Sequence, residues 1–155
     1  MTKYEELLCE AINTGISVDE NYSFKGCLSG LYVDGNIALS NQLQTTPEKT
    51  CVLAEELGHH HTSVGNIIDM NDVRNRKQEH QARLWGYNKL IGLTGIINAF
   101  RAGCQSRHEM ADLLDVTEEY LQECIDCYQG KYGIYTEVDN YVIYFIPNLV
   151  VMEKV

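Results

Sequence analysis

The chain has 155 residues, 45% of them hydrophobic and 22% charged, so it is long enough to enclose a core and too apolar to be dominated by disorder. Its formal net charge of −10 argues against non-specific attraction to a nucleic-acid backbone or an anionic lipid surface. No stretch approaches the roughly 20 apolar residues of a bilayer span, and the N-terminus lacks a basic-then-apolar leader, so a cytoplasmic protein without membrane contact is expected.

In chain order, residues 3 to 13 carry Leu7, Leu8, Ala11 and Ile12 at helical spacing and predict a short amphipathic helix that stops near Gly15. A connector is expected through Asp19 to Phe24. Ser29 to Val33 and Asn36 to Ser40 then flank Asp34-Gly35, the pattern of a two-residue hairpin whose turn needs positive φ. Thr45-Thr46-Pro47-Glu48 supplies a cap, an early proline and early negative charge, which predicts a helix from about residue 47 to about His61.

A polar loop containing Gly65 and Asn66 leads to a long helix from about Asp72 to Ile91. Helices are expected over residues 96–102, 107–114 and 117–129, the last two separated by Asp115-Val116. Alternation over Ile134–Val138 and Tyr141–Phe145 predicts a hairpin about Asp139-Asn140, with Leu149 to Met152 as an extended tail. No repeat or linker interrupts the chain. It reads as an α+β protein with a core over residues 1–95 and C-terminal helices and hairpin over 96–155 packed on it as a single unit.

The six cysteines are irregularly spaced and mostly flanked by apolar residues, which suits reduced core thiols. Cys124-Ile125-Asp126-Cys127 lacks a second such pair or a nearby histidine, so it reads as structural and not as a zinc or redox motif.

The run Ala54-Glu55-Glu56-Leu57-Gly58-His59-His60-His61 carries the chemistry. It differs by one residue from H-E-x-x-H, in which two ligands four residues apart share a helical face and the glutamate between them acts as general base. Here Glu55 takes the first ligand position, and a carboxylate also binds zinc. On a helix Glu55 and His59 project together, and Glu56 is turned by about 100° around the axis. A hydrolytic site needs a third protein ligand, and Glu79, 20 residues after His59 on the next predicted helix, is the best candidate. The register Glu56 with His60 has the same spacing but leaves no base. A solvated Glu-Glu pair is the bland alternative. His60 and His61 read as helix-end residues favoured by the dipole, His80 and His108 as surface or interface histidines, and either His61 or Tyr87 as an oxyanion stabiliser.

With these motifs the chain resembles the ImmA/IrrE family of zinc metallopeptidases. The resemblance covers Lys25 to Ile37, Cys51 to His61, Lys77 to Gly86 with its glutamate followed three residues later by Ala82, and Glu109 to Val116. It implies a zincin-like fold, metal ligands at Glu55, His59 and Glu79, catalytic Glu56, and one Zn2+ per chain, with Mn2+ as another possible ion. It departs at Glu55, where the family pattern has histidine. Two anionic ligands donate more charge to the metal than one, which lowers its power to acidify water and its selectivity for zinc. The resemblance also implies a helix-turn-helix repressor of a phage or mobile element as substrate.

Glu109 to Gln122 itself has helix-turn-helix spacing, but Glu118, Glu119, Gln122 and Glu123 stand where a DNA reader needs arginine or lysine, so no direct nucleic-acid contact is expected. The expectation is a metallo-endopeptidase acting on a substrate extended along the strand Ile37 to Ser40. The alternative is a zincin-like binding module that sequesters or remodels the repressor after losing hydrolysis through Glu55.

Overall fold

The computed structural model describes residues 1–62 and 73–155, and the predicted loop around Gly65 and Asn66 lies outside them. Helices α1 (Lys3–Asn13), α2 (Thr46–Thr62) and α3 (Val73–Leu90) and strands β1 (Ser17–Tyr22), β2 (Gly30–Val33) and β3 (Asn36–Ser40) come first. Helices α4 (Gly92–Arg101), α5 (Arg107–Leu114) and α6 (Glu118–Tyr132) and strands β4 (Tyr135–Val138), β5 (Tyr141–Tyr144) and β6 (Val150–Glu153) follow. The chain divides into two units, Met1–Lys89 and Leu90–Val155. The division falls a few residues before the boundary expected after residue 95, where α3 ends and Gly92, at φ +66, opens α4.

In the first unit, Thr2 caps α1 through a capping box with Glu5, each residue's side chain meeting the other's backbone N–H at 3.2 Å. The buried stripe is Tyr4, Leu7 and Ala11, whereas Ile12 is exposed. Gly15, at φ +80, then turns the chain into β1. The segment expected as a connector is this strand. Ser17 to Tyr22 shows no apolar alternation because β1 is an edge strand, held by parallel pairing to β3 and contributing only half-buried Val18 to the inner face.

The hairpin forms as expected, with Asp34 at φ 47 and Gly35 at φ 80, and pairs Gly30 with Leu39 and Tyr32 with Ile37. The strand order is β1-β3-β2, which puts Ile37 and Leu39 under the helices as fully buried residues. It also corrects the substrate edge. Ile37 to Ser40 lies in the central strand with both sides paired, and among the described residues the edge on the far side of the hairpin belongs to β2. The missing information was the long-range β1–β3 pairing, which a hairpin pattern does not contain.

The second unit packs Ile96 and Ala99 of α4, Ala111 and Leu114 of α5 and Leu121, Cys124 and Tyr128 of α6 with Ile143 and Val151 of the strands. Helix α4 starts earlier than its apolar pattern implied because Gly95 is a packing residue. A Cβ there would lie 3.3 Å from Leu114, so the glycine permits close approach and does not break the helix. Asp115 takes the left-handed conformation at φ 59 between α5 and α6, and Thr117 caps α6 by accepting from Tyr120 N at 3.1 Å. The expected tail pairs in part as β6, with Val151 opposite Ile143 in an antiparallel β4-β5-β6 sheet. None of the six cysteines forms a disulfide, but only Cys51 and Cys124 are buried, and Cys9 and Cys27 are exposed. No described helix is long and apolar enough to cross a membrane.

Candidate metal centre

The site begins with how α2 is held. Thr45 accepts from Glu48 N at 3.2 Å and donates to its carboxylate at 3.1 Å, closing the N-terminus of the helix. Leu53, Ala54 and Leu57 are fully buried, so the rotation of α2 is set by its apolar face. One turn further on, α2 meets α3 at Gly58. A Cβ on Gly58 would overlap the Ala82 carbonyl oxygen and lie 2.9 Å from its carbon, so only glycine allows this backbone approach. Ala82 is fully buried, and Glu79 stands one turn before it on α3. The contact therefore brings Glu79 to the helix face that carries Glu55 and His59.

There His59 Nε2 lies 3.0 Å from Glu79 Oε2. Glu55, His59 and Glu79 each offer a ligand atom within 4.8 Å of the others, the one group of this kind among the described residues. Glu79's other oxygen, Oε1, lies 3.4 Å from Arg83 Nε, and Glu55 Oε1 lies 3.6 Å from the same nitrogen. Glu56 stands outside the ligand group. It is 8% exposed and packs under β2, where a Cβ on Gly30 would come within 3.2 Å of its Cγ and 3.3 Å of its Oε1.

Burial raises the Glu55 carboxyl to about 7, helped by its hydrogen bond with Glu79. Burial likewise raises Glu56 to about 7, opposed by His59 and reinforced by Glu55 and Glu79. The hydrogen bond from His59 holds Glu79 down at about 2 against its own burial. For His59, burial works toward a lower value, but the bond to Glu79 and the three nearby carboxylates leave it raised. The prospective ligands Glu55 and His59 thus favour their protonated forms and Glu79 its ionised form, and a divalent cation would displace protons from the first two.

Zinc ligands stand about 2.0–2.2 Å from the ion, which spaces tetrahedral donors by roughly 3.5 Å. The donor atoms of Glu55, His59 and Glu79, within 4.8 Å of one another, stand close to that spacing. One imidazole and two carboxylates suit zinc and also harder ions such as manganese. The residues fit a divalent metal.

The register Glu56 with His60 is not brought together in this way, since His60 Nδ1 shares a 2.7 Å hydrogen bond with the Tyr32 hydroxyl on β2. His61 stacks on Trp85 at 4.7 Å, and partial burial with His60 beside it lowers its pKa. His60 and His61 nevertheless lie in the last turn of α2, at the helix end where the sequence put them, and neither joins the ligand group. Tyr87 is buried on α3, and His80 and His108 are exposed. Sequence reasoning missed Tyr32, Gly30 and Arg83. The first two alternate along β2 on the face toward α2, and Arg83 follows Glu79 by four residues, a spacing that was available as a signal.

Residues 20–125 match a family model described as the IrrE N-terminal-like domain of the peptidase M78 type. No curated protein and no solved structure matches the chain.

Proposed function

The chain belongs to the IrrE N-terminal-like peptidase family, a metallopeptidase family, and from that premise we propose a site-specific endopeptidase in which Glu55, His59 and Glu79 hold the metal and Glu56 is the general base. When bound there, a zinc or manganese ion would act as a Lewis acid on the scissile carbonyl and the attacking water. The convergence of three ligand atoms beside a buried glutamate is the observation that carries this reading. Glu56, with its carboxyl near 7, accepts the water's proton and delivers it to the leaving amine. Packing against Gly30 fixes that carboxylate next to β2.

The substrate adds to the open edge of β2 as an extended strand, with main-chain hydrogen bonds giving affinity. Leu31 and Val33 are exposed on the strand, whereas Tyr32 is tied back to His60. A helix-turn-helix repressor in the same cytoplasm is the substrate we favour, since a basic DNA-binding protein complements a chain of net charge −10. The second reading, a binding module that remodels the repressor without cutting it, draws on Glu55 in place of the usual histidine.

Elemental analysis of wild type and Glu56→Gln, followed by incubation with the repressor encoded beside the chain, separates the readings. The endopeptidase requires about one metal per chain in both proteins and cleavage only by wild type. Binding without cleavage by either protein moves the assignment to the module. Cleavage by Glu56→Gln at the wild-type rate removes Glu56 from the mechanism.

A further inference from the structure

We propose that Arg83 is the positioning residue of this metal centre, orienting its two carboxylate ligands and offsetting the negative charge that Glu55 brings in place of a neutral histidine. The inference rests on the metallopeptidase reading and concerns a residue outside the ligand set. Arg83 Nε reaches Oε1 of Glu79 at 3.4 Å and Oε1 of Glu55 at 3.6 Å, thereby joining ligands from two helices. Glu79 is consequently divided, with Oε1 turned to Arg83 and Oε2 turned to His59 at 3.0 Å. That division leaves one oxygen facing the centre and favours single-oxygen ligation. Charged partners behind metal ligands commonly fix ligand orientation, and these ion pairs place Arg83 in that position.

Charge gives the second argument. Two histidines and one carboxylate around a divalent ion leave one positive charge, as in hydrolytic sites of the His2Glu type. One histidine and two carboxylates leave none. The guanidinium beside Glu55 and Glu79 restores the missing unit, and an arginine stays charged at any working pH. An ordinary i,i+4 pair on α3 would explain the contact with Glu79. It does not explain the contact with Glu55 on α2.

The test is Zn2+ affinity, measured by competition with a chromophoric chelator, for wild type, R83Q, R83K, E55H and E55H/R83Q, with melting of each metal-free protein. R83Q should weaken Zn2+ binding by about 10- to 100-fold. R83K, which keeps the charge but not the planar fork, should recover part of the loss. In the E55H background the same R83Q change should cost at most a few-fold, because its second acceptor is gone and the charge is no longer needed. The metal-free melting temperature of R83Q should stay within about 2 °C of wild type, as expected for a half-exposed ion pair.

Zn2+ binding by R83Q that equals or exceeds wild type would overturn the proposal, since simple repulsion between guanidinium and metal predicts that result. An equal loss in the wild-type and E55H backgrounds would also overturn it, as would a melting loss large enough to account for the weaker binding. Wild type that retains no metal would instead overturn the metallopeptidase reading and this inference with it.

Discussion

Replacing Gly58 by alanine tests the geometry on which the whole site depends. The new Cβ would lie 2.9 Å from the Ala82 carbonyl carbon and 3.1 Å from its Cα, where ordinary contact begins at 3.4 Å. The obstacle is helix backbone, so relief requires α2 and α3 to part, by about 1 Å once the carbonyl oxygen is also cleared. Overpacking of this kind costs about 1–3 kcal/mol. Alanine returns about 1 kcal/mol through its better helix propensity. The net loss is therefore about 0–2 kcal/mol, or a melting temperature lower by up to about 6 °C in a chain of this size. Metal binding should suffer more than stability. The 3.0 Å separation of His59 and Glu79 opens with the helices, and a ligand displaced by about 1 Å leaves coordination range. Thermal melting and Zn2+ competition on the same preparation check both effects. A variant that melts above wild type and binds Zn2+ equally well would refute the close contact, because propensity alone would then govern the site.

Other consequences follow from the same contacts. Tyr32→Phe removes the 2.7 Å hydrogen bond to His60 while keeping the ring, and should cost about 0.5–1.5 kcal/mol, seen as a fall of a few degrees in melting temperature. Gly30→Ala brings a Cβ within 2.6 Å of Val52 Cγ1 and 3.2 Å of Glu56 Cγ, so it should reduce kcat by displacing the base while leaving metal content near wild type. Metal-stripped protein should lose stability as pH rises from about 4.5 toward 7. In that window Glu55 and Glu56, both raised to about 7, hold protons when folded that they release when unfolded. Glu79, held down at about 2, has most of its stabilisation in place by pH 4.5 and only slightly offsets the trend just above it. A pH series of melts with and without Zn2+ should show the fall only in stripped protein.

Local chemistry was legible where it is self-contained. Asp34-Gly35 specifies its own turn, Thr45 and Glu48 cap α2 by side chains three residues apart, and Glu55 and His59 share a face through helical geometry alone. Glu79 was legible as the third candidate because it falls 20 residues after His59 on the next predicted helix. What escaped depends on distant partners. Strand β1 has no amphipathic pattern and exists through its pairing with β3, and that same pairing makes β3 interior and β2 the edge. Likewise Tyr32 and Arg83 gain meaning only once β2 and α3 are laid against α2. The Glu56–Gly30 contact also joins residues far apart in sequence, with neither residue's identity announcing the other.

The open edge of β2 has a consequence for handling the protein. Among the described residues no strand pairs with the outer side of β2, and such an edge is a template for any other strand, including β2 of another copy. Leu31 and Val33, 44% and 43% exposed, make such pairing more adhesive. Mutual repulsion between chains of net charge −10 opposes it, but its range is only about 10 Å in 0.1 M salt and about 3 Å in 1 M. Colloidal behaviour and the proposed substrate capture thus draw on one strip of backbone, and high-salt purification would expose the conflict as reversible self-association.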